Sequence, residues 1–561
     1  MARGDRGADA LVRTLAHGGI RRMFTLSGNH IMPVFDAALD AGIELIHTRH
    51  EAAAVHMADA FARLTDDVAV AMVTGGPGHA NAVGGLYTAA MAESPVVLLS
   101  GHAPHNELGK GAFQEMAQAE IAAPLTKASW VCKKADDVAA DMQRAMRIAR
   151  SGRPGAVHLS LPSDCLEGHP RHVILDTSSS ALPSGSNDRG SMEQRSGIQE
   201  ARAGDPGHLG DNDADAILDR LYRAQRPLIL AGPASTTKSG RSRMRALEEA
   251  TGFPVIGMES PRGIADPSLG AFAEILAQAD CVLLLGKRLD FTLKCGRSPA
   301  LSADCEFLQV DSETSEIERT GRAVGSRLAG SALAEMFPAA QSLARRAVRQ
   351  SGSWLEEVRS ALAYRPGAWN TASSSETGRL HPVQALRPLQ ALLDANADSV
   401  FVSDGGEIGQ WAQACLHAPN RVINGVAGSI GAALPFAIAA RLAKPGAPVI
   451  AVMGDGTFGF HASEIDTAVR YRLPFVAIVG NDARWNAEYQ IQLREYGPER
   501  AKGCELLPTR YDEVCAAFGG HGEFVTTAAD VLAAAQRAER SGLPSCLNVM
   551  IEGVPAPNIR R

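Results

Sequence analysis

Short apolar runs that end in a glycine or an acid recur along this chain, and they constrain its fold more than any other feature. The clearest is VIAVMGDG at 449–456, where residues rich in β-branched side chains run into Asp455, held between Gly454 and Gly456. A run without polar alternation suits a parallel strand covered on both faces, and the carboxyl end of such a strand is where open α/β sheets bind ligands. Similar runs are RMFTLS, VAVAMVT and PVVLLSG early in the chain, RPLILAGP, CVLLLGK and EFLQVD in the middle, and SVFVSDG and PFVAIVGND towards the end. Longer stretches of helical periodicity separate them. The expected fold is therefore α/β, with three doubly wound parallel-sheet domains. A length of 561 residues exceeds one core, and 45% hydrophobic content suffices to fill three.

Two polar stretches set the expected boundaries. Residues 172–212 are rich in Ser, Gly, Asp and Pro and lack aromatic side chains, so they bury too little surface to fold alone and read as a flexible linker. They divide a first domain, 1–171, from a central domain, 213–345. A second connecting segment, 346–381, contains GAWNTASSSETGRLH and leaves 382–561 as the third domain.

Composition narrows the partners. A formal net charge of -7 without a long Lys/Arg block gives no footprint for nucleic acid and favours a small molecule. Nine scattered cysteines without a CxxC pair read as buried thiols in a reducing compartment, so the expected location is cytoplasmic. The opening MARGDRGADALVRTLAHGGI reads as an amphipathic helix rather than a signal peptide. The longest apolar run, 426–440, is too short to span a membrane and contains Pro435, so it is expected to be a buried helix.

Chemistry enters with the acids. After GDG, the segment HASEIDTAVRYR places Ile465, Ala468 and Val469 on one helical face, and LPFVAIVG then runs into Asn481-Asp482. A right-handed crossover lays the two strands side by side or nearly so and brings Asp455 and Asp482 to one sheet edge. Converging carboxylates repel unless a cation lies between them. Hard oxygen donors with room for more suit Mg²⁺ completed by phosphate and water. Gly454 and Gly456 leave the backbone open to a phosphate, so the inferred ligand is a magnesium-bound diphosphate.

Gly454-Asp455-Gly456 followed by Asn481-Asp482 resembles the thiamine diphosphate motif, GDG and then an Asn-Asn pair, of the superfamily of decarboxylases, acetolactate synthases and carboligases. The likeness covers essentially the whole chain, in the order pyrimidine-binding (PYR), central and diphosphate-binding (PP) domains. It implies that Asp455, Asp482 and the main-chain carbonyl of Arg484 hold the metal, with Thr457 beside the diphosphate. Asp482 stands where the family usually has Asn; its added negative charge should tighten the metal.

In TRHEAAAVHMADAFAR, which is similar to the family's glutamate helix, the resemblance makes Glu51 the acid that binds N1' of the aminopyrimidine. Sharing its proton there favours the imino tautomer at 4', which removes the C2 proton of the thiazolium. GGPGHANAV implies Gly76, Pro77 and Asn81 as cofactor neighbours, and AGSIGAALP supplies Gly428 and the apolar wedge Ile430. SDGGEIGQW adds Gly409 and Gln410 near the cofactor. His30 in LSGNHIMPVFD matches a proton-relaying histidine, while Gln114 and Gln118 in GAFQEMAQAEIAAPLTK match glutamines that stabilise an oxyanion. The resemblance further implies a small-molecule carbonyl substrate and a homodimer or homotetramer with active sites at the subunit interface.

The activity so implied is that of a thiamine diphosphate- and Mg-dependent carboligase or lyase, acetolactate synthase-like, acting on C–C bonds next to a carbonyl. Departures limit it. Asn486-Ala487-Glu488 and Ile491 stand where acetolactate synthases carry Gly-Met-Val and a tryptophan, and GKRLDFTLKCG lacks their carboxylate-gripping arginine. That segment looks closer to oxalyl-CoA decarboxylase and 2-hydroxyacyl-CoA lyase, which form the alternative; a catalytically silent nucleotide-binding regulator is an alternative of another class. In the central domain Gly232 and Gly286 follow strands and permit FAD, ADP, CoA or no ligand.

Overall fold

The computed structural model describes residues 5–171 and 207–561, so the expected linker lies outside the described residues except for its last six positions, 207–212. Each apolar run named above forms a strand, and the residues 449–453 show why. Ile450 and Val452 face one core with Leu386 and Val531, whereas Ala451 and Met453 face another with Ala437 and Phe436. Burial on both faces is what an uninterrupted apolar run requires.

Three wholly parallel sheets result. The first has the strands Glu44–His47, Arg22–Thr25, Ala69–Val73, Val96–His102, Val157–Pro162 and Ser129–Val131 in that spatial order. The third runs Asn420–Ile423, Val400–Ser403, Val449–Gly454, Val476–Asn481, Ser545–Met550 and His521–Val525. Counted along each domain, both orders are 2-1-3-4-6-5. The central sheet, from Leu328–Leu333 through Glu306–Asp311, Cys281–Leu285 and Pro227–Ala231 to Val255–Gly257, is 5-4-3-1-2. In all three the connections diverge between the first and third strands, and a crevice opens beyond their carboxyl ends. Those ends carry the loops of His30 and Gly76, of Gly232 and Gly286, and of Asp404 and Asp455.

The first and third domains share a core within one chain. Helix Glu51–Thr65 lies on helix Ala433–Ala443, with Ala54, Val55 and Ala58 packed in one cluster with Ala433 and Phe436. Alanine-rich faces permit this close approach. Arg63 crosses the boundary, paired with Asp59 and donating to the Ile423 carbonyl oxygen at 2.7 Å.

Two expectations change. The segment 346–381 is not bare linker, since helix Ser353–Ala363 buries Val358 and Ala361 in the central core and Trp354 Nε1 donates to the Pro227 carbonyl oxygen at 2.9 Å. Its apolar contacts are few, and the polar residues around them hid the pattern. The apolar run at 426–440 is helical only from Ala433; before it lies a loop in which Gly425, Gly428 and Gly431 take positive φ. Among the described residues no helix is long and apolar enough to cross a membrane.

Candidate active site

The strand Val449–Gly454 pairs directly with Val476–Asn481, Gly454 opposite Gly480, so the two acids end neighbouring strands. Asp455 and Asp482 then line one pocket with Gly454, Gly456, Thr457, Ile430 and Arg484. Both carboxylates are buried, and Asp455 Oδ2 has no hydrogen-bond partner among the described residues. Burial pushes Asp455 up to about 6. Burial, and then the facing charge of Asp455, pushes Asp482 up to about 7. Arg484 N donates to Asp482 Oδ1 at 3.2 Å, which turns the loop back over the strand end, and Ala483 takes φ +57 to make that turn. An orphaned buried carboxylate oxygen beside a second carboxylate is a donor set that fits a hard cation.

Close packing accounts for the glycines. A Cβ on Gly456 would lie 2.4 Å from the Trp485 ring, and one on Gly405 would lie 2.5 Å from Thr457 Oγ1. Gly405 also needs φ +92. Gly406, Glu407 and Ile408 form the opposite wall, followed by Trp485, Asn486, Ala487 and Glu488.

Asp404, to which the sequence reading gave no role, organises this wall. It is fully buried; its Oδ2 accepts from Gly431 N at 2.9 Å and Ala433 N at 3.0 Å, and its Oδ1 from Gly405 N. It thereby fixes the loop that carries Ile430. SDGG repeats the acid-glycine pattern of GDG at the adjacent strand end, which was the available signal. Gly409 and Gly428 are not among the residues lining the Asp455 pocket: a Cβ on Gly409, inside helix Glu407–Cys415, would lie 2.8 Å from the Asp404 carbonyl oxygen, and Gly428 faces Pro261. Gln410 lines a separate, wider cleft.

The first-domain residues gather at the corresponding edge of their own sheet. Glu51 opens helix Glu51–Thr65, and its Oε2 accepts from Asn81 Nδ2 at 3.0 Å. Pro77 starts the helix that bears Asn81, and Gly76 before it has φ +58, with room for a Cβ denied by Gln114. His30 Nδ1 lies 3.0 Å from Thr74 Oγ1 and its ring stacks on Phe113. Burial, with the His102 charge, lowers His30 below the usual histidine range and so favours its neutral form. Gln114 sits at φ +58 with Oε1 buried and without a partner among the described residues.

Gln118 does not fit the role expected of it. Its Nε2 donates to the Gly101 carbonyl oxygen at 3.0 Å and to Ser160 Oγ at 2.8 Å, and its Oε1 accepts from Gly76 N at 3.0 Å. Both amide protons are committed, so none remains for an oxyanion. It is a clamp on the Gly76 turn.

Within one chain the two groups do not share a pocket: every residue lining the Asp455 pocket comes from the third domain.

The central crevice tests the nucleotide expectation. A Cβ on Gly232 would lie 2.4 Å from the Gly286 carbonyl oxygen, and Glu93 from the first domain stands beside it. Arg153 pairs with Glu93 and, at 2.6 Å, with Asp311, all three buried. The room left there is about 20 Å³. Glu93 and Asp311 thus share the Arg153 guanidinium, and the space beside them is too small for a nucleotide.

Comparison with known proteins agrees with this geometry. Residues 5–121 match the thiamine pyrophosphate enzyme N-terminal TPP binding domain, 214–333 the central domain and 404–549 the C-terminal TPP binding domain. The chain is 30% identical to a probable acetolactate synthase of Mycobacterium bovis, over 97% of this chain and 95% of that one. It is also 30% identical to a 2-hydroxyacyl-CoA lyase 2 of Danio rerio, over 97% and 91%, and 27% identical to a 2-hydroxyacyl-CoA lyase of Arabidopsis thaliana, over 97% and 95%. With all three domains matched in order, the chain belongs to the thiamine pyrophosphate-dependent enzymes that form or cleave carbon–carbon bonds.

Proposed function

We propose that the chain is a Mg²⁺-dependent carboligase or lyase of small carbonyl compounds, acetolactate synthase-like in making or breaking the bond next to a carbonyl of a 2-oxo acid or a 2-hydroxy ketone. The observation that carries the metal is Asp455 Oδ2, buried without a partner among the described residues and beside Asp482. Asp455, Asp482 and the Arg484 carbonyl would hold the ion, with Thr457 near the diphosphate. Bound thiamine diphosphate supplies the nucleophilic carbon and the electron sink for breaking a bond beside a carbonyl. Glu51 holds or shares a proton at the pyrimidine end, kept in place by Asn81. Ile430, on the loop fixed by Asp404, would back the cofactor ring. His30, neutral at physiological pH, accepts or returns a proton near the carbonyl, and Gln114 offers an uncommitted amide there.

Because Glu51 and Asp455 stand in separate clusters, one catalytic site is assembled from two copies of the chain, as a homodimer or homotetramer. Phe113 beside His30 and Phe460 beside Gly431, 65% and 54% exposed, support a partner surface at both half-sites.

A second reading, cleavage of a CoA thioester, is favoured by one feature. A cleft of about 1350 Å³ between the central and third domains adjoins the cofactor pocket through Glu407 and Ala487. Lys294, Arg297 and Arg560 line it together with Phe291 and Ile264. It is large enough for an extended anionic substrate.

The test is turnover of pyruvate, benzoylformate, benzoin, acetoin and oxalyl-CoA with added thiamine diphosphate and Mg²⁺, for the parent and for Glu51→Gln. The Glu51→Gln variant should retain cofactor and lose about 100-fold or more in turnover. Parental turnover in that variant would refute the role of Glu51, and activity on oxalyl-CoA alone would select the second reading.

A further inference from the structure

We propose that Glu464, in the third domain, is a positioning residue for Glu51: its buried carboxylate holds the main chain immediately before Glu51 and so sets where the catalytic acid points. The inference rests on the reading of Glu51 as the acid that acts on bound thiamine diphosphate.

Glu464 opens the short helix Glu464–Arg470, nine residues after Asp455, and has no exposed surface. Its Oε1 accepts from Arg49 N at 2.9 Å and from His50 N at 3.1 Å, while Thr467 Oγ1 donates to Oε2 at 2.7 Å. The same helix reaches further back along the segment. Arg470 Nη2 donates to the His47 carbonyl oxygen at 2.7 Å. Tyr471 Oη donates to the Leu45 carbonyl oxygen at 2.7 Å and accepts from His47 N at 2.8 Å. Five main-chain groups between Leu45 and His50 are thus held by third-domain side chains. The strand Glu44–His47 is an edge strand and the helix begins at Glu51; within its own domain the intervening turn is held by Thr48, whose N donates to the Thr25 carbonyl oxygen at 2.8 Å and whose Oγ1 donates to the His50 carbonyl oxygen at 3.0 Å, while the N–H groups of Arg49 and His50 are taken by Glu464.

The contacts on Arg49 and His50 matter most, because they lie next to Glu51. All three bonds to Glu464 are accepted by its side-chain oxygens, two of them by Oε1, so an acceptor oxygen at this reach is what the corner requires. What Oε1 provides is a two-bond grip on one peptide corner. Among the described residues the Glu51 side chain is tied by Asn81 alone, so its direction follows that corner. The stretch from Asp455 to Glu464 therefore serves the diphosphate end of one cofactor and the acid that addresses another.

Two readouts test this. The first is amide hydrogen exchange of residues 45–52 in the cofactor-free protein, and the second is deuterium exchange at C2 of thiamine diphosphate bound with Mg²⁺, measured per bound cofactor without substrate. In Glu464→Ala, amide exchange should quicken and C2 exchange should fall about 10- to 100-fold, with cofactor affinity within about threefold of the parent. Glu464→Gln keeps an oxygen that accepts from both N–H groups and should restore both readouts. Glu464→Asp keeps the charge but is too short to reach, and should behave as Glu464→Ala.

Glu51→Gln serves as the reference, slowing C2 exchange while leaving the amides of 45–50 protected. If Glu51→Gln exchanges C2 at the parental rate, the underlying reading of Glu51 fails. If Glu51→Gln is slow but Glu464→Ala and Glu464→Asp match the parent, the positioning role alone is overturned. Loss of the fold or of cofactor in both of those variants also overturns it, since Glu464 would then serve the scaffold.

Discussion

Asp404 offers a quantitative test of how the wall beneath the cofactor is held. Replacing it by Ala strips the acceptor from three buried N–H groups, those of Gly405, Gly431 and Ala433. At about 1–3 kcal/mol for each orphaned donor the gross loss is about 3–9 kcal/mol. An opposing effect reduces it. Burial raises Asp404 from 3.8 to about 6, so above that pH the protein holds a charge at a cost of about 3 kcal/mol, which the substitution relieves. The net local loss is then about 0–6 kcal/mol, centred on about 3 kcal/mol, or roughly 100-fold in the opening equilibrium. Asp404→Asn relieves the same charge and keeps one acceptor, so its loss should be close to zero while the Ile430 loop shifts. A three-domain chain has no single unfolding free energy, so the assay is amide exchange at Gly431 and Ala433, read around pH 8. Protection in Asp404→Ala equal to the parent, or a larger loss in Asp404→Asn than in Asp404→Ala, would refute this account.

Three further outcomes follow from the same geometry. Protons compete with the metal because Asp482 and Asp455 are raised to about 7 and about 6 in the metal-free chain. Both must ionise to bind a cation, so Mg²⁺ affinity by calorimetry should fall as pH drops, about 10- to 20-fold between roughly pH 8 and pH 6, and a flat profile would contradict it. Gly456→Ala drives a Cβ into the Trp485 ring and should weaken thiamine diphosphate binding about tenfold or more, measured by fluorescence quenching, with little change in cofactor-free stability. Arg153→Ala leaves Glu93 and Asp311 buried without their cation and should destabilise the contact between the first and central domains by about 3–5 kcal/mol, seen as rapid proteolysis between them; if it instead created flavin or ADP binding, the crevice would be gated rather than closed.

The parts of the molecule legible in the sequence were those where one physical demand fixes several consecutive residues. A doubly buried parallel strand must be apolar throughout, and so 69–73, 281–285 and 449–453 announced themselves. Short or partly exposed strands such as Glu44–His47, Ser129–Val131 and His521–Val525 carry no such run, and their positions come from pairing with neighbours. Asp455 and Asp482 were legible because a crossover of known hand brings consecutive parallel strand ends together. Gln118 misled because spacing along the chain does not reveal that both its amide protons are taken by Gly101 and Ser160. Asp404 and Glu464 escaped for the opposite reason. Their partners are main-chain N–H groups, at positions 27 and 29 residues away for Asp404 and 414 and 415 residues away for Glu464, and main-chain partners leave no side-chain signature. The closed central crevice likewise depends on Glu93 and Arg153 arriving from another domain.

The central claim is that Asp455 and Asp482 meet over a divalent ion holding the diphosphate, while Glu51 of a second copy meets the other end of the cofactor. A crystal structure grown with thiamine diphosphate and Mn²⁺, with the metal located by anomalous scattering, tests it most directly. The account predicts a peak bound by the two carboxylates and the Arg484 carbonyl, with Glu51 of the partner subunit on the pyrimidine ring. A metal bound elsewhere, or a pyrimidine ring that no Glu51 touches, would contradict it.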